Sequence, residues 1–228
     1  MARVLLSMLF VVAPLAAKAP PPRESGLARQ ALERYLREQC DRPPPSAAPT
    51  SFQIDAALPK LHKRGVLRGL KVIAGPGRIA FTQLHFVGDS LVKTAVIARF
   101  LTVETKLPGG DEATQIAAAN YRFSFKGTTD YGRRTAFIFL MEPKRRQVGL
   151  FKGELWLDSE TARPLREWGE LVKSPSGFVN HVYFVRDYTD SNLRRIIVRL
   201  HAVFAGPVEL TMWLDEPGRA ELAYSPGA

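Results

Sequence analysis

The sequence predicts an α+β protein that is mainly antiparallel β, built around one large sheet. Three observations carry this. From Ser51 onward, apolar and polar residues alternate with a period near two. These runs are short and are bounded by Gly, Pro, Asp and Asn. Only two stretches, Gly26–Gln39 and one near residues 90–106, repeat their apolar residues at helical spacing.

The chain begins with a leader, assigned to residues 1–19. Arg3 supplies a positive start, and Val4–Ala17 is almost wholly apolar. That run matches the core of a signal peptide and is shorter than the roughly 20 residues a bilayer core requires. Ala17–Lys18–Ala19 has the small-x-small form of a cleavage site, but Pro20 follows and should hinder cutting. The expected location is therefore periplasmic or secreted, with an uncleaved leader acting as a membrane anchor as the alternative. Residues 20–50 form a Pro-rich spacer and the N-terminal helix. Ser25 offers a cap, and Leu27, Ala31, Leu32, Tyr35 and Leu36 make the apolar stripe. Pro43–Pro44–Pro45 ends this helix.

Residues 51–228 form the β domain. Strands are expected near Phe52–Leu58, Val66–Ala74 and Arg78–Val87, the last two joined by Gly75–Pro76–Gly77. In Ser90–Leu107, Val92, Val96, Ile97, Phe100, Leu101 and Val103 fall on one helical stripe. Its β-branched residues would also suit a strand, but the length of the stripe and the caps Asp89 and Ser90 favour a helix. A loop with Gly109–Gly110 follows. Further strands are expected near Tyr121–Lys126, Thr135–Met141, Gln147–Leu157, Arg163–Lys173, Phe178–Tyr188, Leu193–Phe204 and Val208–Leu214, as consecutive hairpins. A sheet this large must curl or close to limit its exposed edges.

Two strands are apolar on both sides. Phe137, Phe139 and Met141 alternate with Ile138 and Leu140, and Leu150 and Trp156 alternate with Phe151, Leu155 and Leu157. Both faces of such a sheet need cover. If the two helices cover only one, the other lines an apolar cavity; otherwise both faces are packed core.

Composition narrows the function classes. Hydrophobic residues make up 46% of the 228, ordinary for a globular chain. The net charge of +10 favours anionic partners such as phospholipid head groups. The basic residues are dispersed, with short runs only at Lys144–Arg145–Arg146 and Arg194–Arg195, and no nucleic-acid-binding motif is present. A single cysteine, Cys40, excludes an intramolecular disulfide and reads as a buried residue or a free thiol. His62, His85, His181 and His201 lack metal-ligand spacing, and no nucleophile elbow or phosphate-binding glycine loop occurs. The acidic pairs Asp158/Glu160 and Asp187/Asp190 sit at strand ends beside Ser, Thr or Arg, where turn and ion-pair roles are expected. No catalytic residue, cofactor or metal is assigned.

The segment Gly153–Glu154–Leu155–Trp156–Leu157–Asp158–Ser159–Glu160–Thr161–Ala162–Arg163–Pro164–Leu165–Arg166 resembles the hallmark hairpin of the periplasmic lipoprotein-carrier superfamily. That superfamily includes LolA-like carriers and RseB-type sensor domains. Trp156 anchors a strand, Asp158 caps a turn and Pro164 restarts the next strand. Ala162 stands where the pattern has glycine. The resemblance implies an open, curved half-barrel with helices in its concavity, no cofactor, and an acyl chain or lipoprotein as ligand. On that reading the protein binds a lipid or lipidated protein, with Phe137, Phe139, Trp156 and Trp168 as candidate lining residues and Lys144–Arg146 at the rim. Peripheral membrane contact is compatible with it. The alternatives are a sensor or interaction domain that docks on another envelope protein, and an enzyme, which would need a polar cluster the sequence does not display.

Overall fold

The computed structural model describes residues 22–40, 48–75, 78–106, 113–190, 192–203 and 205–215. The leader, the Pro43–Pro45 loop, the Pro76–Gly77 turn and the Gly109–Gly110 loop lie outside these residues, as does the Cys40 side chain.

Ten strands build one sheet: β1 (Thr50–Leu58), β2 (Lys63–Gly75), β3 (Arg78–Gly88), β4 (Tyr121–Tyr131), β5 (Arg134–Pro143), β6 (Phe151–Asp158), β7 (Pro164–Leu171), β8 (Val179–Thr189), β9 (Asn192–Ala202) and β10 (Gly206–Leu214). Their order is β3-β2-β1-β10-β9-β8-β7-β6-β5-β4, and all described pairings are antiparallel. Every expected strand is present. The neighbours are hairpins except for one long-range pairing, β1 with β10, in which Ile54 lies opposite Met212. The sheet stays open, with β3 and β4 as its edges. Register shifts in β2/β3, β4/β5, β6/β7 and β8/β9 supply the local twist that curls it.

Two helical segments cover one face. Helix α1 (Pro22–Cys40) places Ala28, Ala31 and Tyr35 against Phe137, Phe139, Met141, Phe151, Leu155, Leu157 and Phe184. A π-helical turn, Val92–Ile97, runs into α2 (Ala98–Lys106) and packs Val92, Val96 and Ile97 on Ile54, Leu58, Leu67, Leu210 and Met212. The helix expected near residues 90–106 is therefore real. Its start is fixed as foreseen, by Asp89 Oδ1 accepting from the Leu91 amide at 2.8 Å.

Two local expectations need correction. Ser25 does not begin the first helix, which starts at Pro22; proline is tolerated in a first turn because its missing N–H would have no helical partner. The strand expected from Gln147 begins at Phe151. Gly149, at φ +93°, turns the chain in a way L residues resist, and Leu150 drops into the same core as Phe151 instead of sharing a face with Trp156.

Candidate functional site

Both helices pack on one face of the curled sheet. Lys71 on β2 and Arg186 on β8 lie on that face, separated by β1, β10 and β9 in the sheet. Burial lowers the Lys71 pKa from its ordinary value; Glu104 on α2 opposes that and Arg186 adds to it. Arg186 Nη1 donates to Glu167 Oε2 at 3.3 Å, and its guanidinium lies 4.9 Å from the Phe184 ring centre. Burial works against its charge, but Tyr188, Glu167 and Glu104 outweigh this and hold it above the usual arginine value. The floor of the concavity thus has an apolar half under α1, an apolar half under α2, and a charged strip between them.

The half under α1 is rich in aromatic rings. Phe125 packs on Phe137 and Phe139 at 5.9 and 5.7 Å, and Phe151 meets Phe184 edge-on at 4.8 Å. Tyr121 lies 5.6 Å from Phe151, its hydroxyl accepts the Phe151 amide at 3.3 Å, and burial pushes its pKa up to about 12. Gln115 Nε2 donates to the Gln39 carbonyl of the helix above at 3.5 Å. Arg34 Nη2 donates to the Glu160 carbonyl at 2.7 Å, while Arg34 Nε is buried with no hydrogen-bond partner.

Among the described residues no helix lies over the opposite face, which is covered by its own long side chains. Glu154 is nearly fully buried there, accepting from Lys126 Nζ at 2.6 Å and from the indole N–H groups of Trp156 and Trp168 at 2.8 and 2.9 Å. Burial would raise its pKa, but those three donors hold it below the ordinary 4.5. Alongside, the Arg166 guanidinium lies 5.1 Å from the Tyr131 ring and 5.5 Å from the Trp156 ring. Asp187 accepts from Arg166 at 2.7 Å and from Arg195 at 2.6 and 2.8 Å. Burial again works to raise its pKa, and the two arginines hold it down.

The four candidate lining residues consequently do not gather. Phe137 and Phe139 lie in the core beneath α1, whereas Trp156 and Trp168 lie on the far face, with Trp168 39% exposed. The acidic pairs have the turn and ion-pair roles their positions implied. Asp158 Oδ1 accepts from the Glu160 and Thr161 amides at 3.0 and 2.8 Å, and Asp190 pairs with Arg134 at 3.1 Å. Among the described residues, no three His, Cys, Asp or Glu side chains cluster as metal ligands. Sequence reasoning missed Glu154, Lys71 and Arg186. A charged residue in the middle of an apolar alternation, such as Glu154 between Gly153 and Leu155, was the available signal.

Recesses open on the surface formed by the described residues. One of about 480 Å3 is lined by Glu142, Arg145, Arg146, Lys152, Glu170 and Leu171; another, of about 220 Å3, by Val66, Arg68, His85 and Val87. Neither lies within the α1-covered core.

The protein is thus an antiparallel half-barrel with two helices in its concavity, a scaffold that offers protected apolar surface and a broad exposed face. Among solved structures it is similar to a LolA superfamily protein from Nitrosomonas europaea, at 16% identity and a TM-score of 0.43, over 83% of this chain and 91% of that one. It is also similar to a DUF1329 family protein from Desulfovibrio piger, at 12% identity and a TM-score of 0.41, over 89% and 95% of the two chains. No family model and no curated protein matches the sequence.

Proposed function

We propose that this chain is an exported envelope protein that binds a lipid or the acyl chain of a lipidated protein on its concave face, with α1 as a displaceable cover. The observation that carries the reading is the mismatch between floor and cover. An aromatic-rich floor stretches from β4 to β8, and the helix above it contributes two alanines, one buried tyrosine and the partly buried Leu32 and Leu36. Full burial of a large apolar side chain contributes about 1.5–3 kcal/mol, so lifting α1 costs roughly 4–7 kcal/mol. The unpartnered Arg34 Nε lowers that cost. An acyl chain of about 14 carbons returns about 0.8 kcal/mol per buried CH2, roughly 11 kcal/mol in all. Phe137 and Phe139 are the proposed contacts.

The test is uptake of a photoreactive fatty acid by the purified chain, followed by mapping of the cross-links. Labels should fall on β4–β8 positions that face α1. Absence of uptake, together with no lipid recovered by organic extraction, would sink the reading; so would labelling confined to the Trp156 and Trp168 face.

One observation favours a second reading, docking on another envelope protein. Leu140, Trp168, Tyr183 and Trp213 are exposed on the face without helices, and exposed aromatic residues of this kind serve as interface anchors. Recovery of one stoichiometric partner from envelope extract, lost on Trp168→Ala, would support it.

A further inference from the structure

Because the strands alternate in direction, the connections alternate between two ends of the half-barrel. Residues 59–62, 89–91, 144–150, 172–178 and 203–205 gather at one end; residues 132–133, 159–163 and 190 lie at the other. The two ends differ sharply. Outside the strands and the helices α1 and α2, the exposed large apolar residues among those described are Leu61, Leu91, Val148, Phe178 and Val203, and all five lie at the first end, with Phe178 60% exposed; α2 itself exposes Val103. Among the described residues, the connections of the second end expose no large apolar side chain. There Arg134 reaches Asp190 at 3.1 Å and Asp158 at 3.7 Å, so its charge is cancelled.

Unpaired cations occur at both ends, since Arg133 and Arg163 at the second end have no carboxylate within 4.0 Å among the described residues; at the first end they stand beside the apolar tips. At the first end, Lys144 donates to the Ala118 carbonyl at 2.6 Å, Arg145 to the Ala113 carbonyl and Asn120 Oδ1 at 2.8 Å each, and Arg146 to the Val172 carbonyl at 3.1 Å. These oxygens are neutral, so they fix the cations in place without cancelling their charge. Among the described residues, Lys60, Lys144, Arg145, Arg146 and Lys173 have no carboxylate within 4.0 Å. Lys63 with Asp89 and Lys152 with Glu142 are the neutralised pairs nearby. The recess of about 480 Å3 opens between Arg145, Arg146 and Lys152, with Glu142 and Glu170 also in its lining.

We propose that this end of the half-barrel docks on the surface of an anionic lipid bilayer, with the tips around Phe178, Val203 and Leu61 entering the interface and the uncancelled cations meeting lipid phosphates. Exposed apolar tips set among fixed, unpaired cations are the combination that interfacial binding rewards, by apolar burial and attraction to anionic lipid together. A bilayer accounts for the apolar tips and for the fixed cations beside them together. The proposal stands whether or not the concave face takes a guest.

The experiment uses the full chain with Cys40→Ser and an environment-sensitive fluorophore at Phe178→Cys or, as the control at the opposite end, at Arg133→Cys. Vesicles are either pure phosphatidylcholine or equal parts phosphatidylcholine and phosphatidylglycerol. The N-terminal segment is common to every sample. The label at 178 should shift to the blue and brighten on the anionic vesicles, with little response on the neutral ones, and the label at 133 should stay unchanged. Replacing Lys60, Lys144 and Arg146 with Gln should weaken binding by about fivefold per charge. A water-like label at 178 on anionic vesicles, an equal response at both positions, or unchanged binding by the charge variant would each overturn the proposal. A response to lipid-free envelope protein in place of vesicles would also overturn it, and would assign this end to a protein partner.

Discussion

Glu154→Gln removes the charge from the carboxylate that ties three strands together on the face without helices. The side chain sits on β6, its donors Trp156 and Trp168 on β6 and β7, and Lys126 on the edge strand β4. A hydrogen bond to a charged group contributes about 1.5–3 kcal/mol, more than a neutral one. Glutamine keeps one oxygen for the indoles but presents an N–H toward Lys126. The lysine is 52% exposed and can turn to water, so that contact is worth little. The expected loss at neutral pH is about 1–2 kcal/mol, most of it from the weakened indole bonds. The folded pKa of Glu154 lies below its unfolded value of 4.5, so its stabilisation is present above 4.5 and disappears as pH falls through the folded value. In that acid range the native carboxyl is protonated and resembles the amide. Urea unfolding followed by tryptophan fluorescence should show the wild type and the variant apart at neutral pH and converging in acid. A gap of the same size at both pH values, or no gap at neutral pH, would refute the assigned role.

Two further outcomes follow from backbone geometry. At Gly153, a Cβ would lie 1.9 Å from the Trp168 carbonyl oxygen and 2.6 Å from Gly169 Cα. Gly153→Ala must therefore separate β6 from β7, and should cost at least about 3 kcal/mol or abolish folding, read by circular dichroism and urea midpoint. Ala162 holds φ +57° while fully buried. Ala162→Gly should relieve about 1 kcal/mol of left-handed strain, lose about 0.8 kcal/mol of methyl burial and add unfolded-state freedom, for a net change within about 1 kcal/mol of zero; a loss of 2 kcal/mol or more would count against that balance.

Strand positions were legible because local alternation and turn residues set them, as in Tyr121–Lys126 with Phe123 and Phe125 on one face. The Asp158 turn was legible for the same reason, and even its anomaly had meaning. Glycine is expected in the pattern at position 162, and alanine there adopts the left-handed conformation. What stayed hidden depends on partners remote in the chain. Alternation separates Phe137 from Ile138 and Leu155 from Trp156, but it does not say which set faces the helices. That is decided by how ten strands curl together, and so Trp156 and Trp168 could not be assigned to a face. The polar networks were hidden likewise: Asp187 meets Arg166 only because β7 and β8 pair in that register. The π-helical turn at Val92–Ile97 has the same apolar stripe as an ordinary helix.

The pairing of β1 with β10 sets the order in which the molecule can assemble. The first three strands form a hairpin array with one flank vacant, and their proper neighbour, β10, follows only after six further strands, ending at Leu214. Closing a seam between segments so distant in the chain is slow. Until that seam closes, β1 keeps one edge without its strand neighbour.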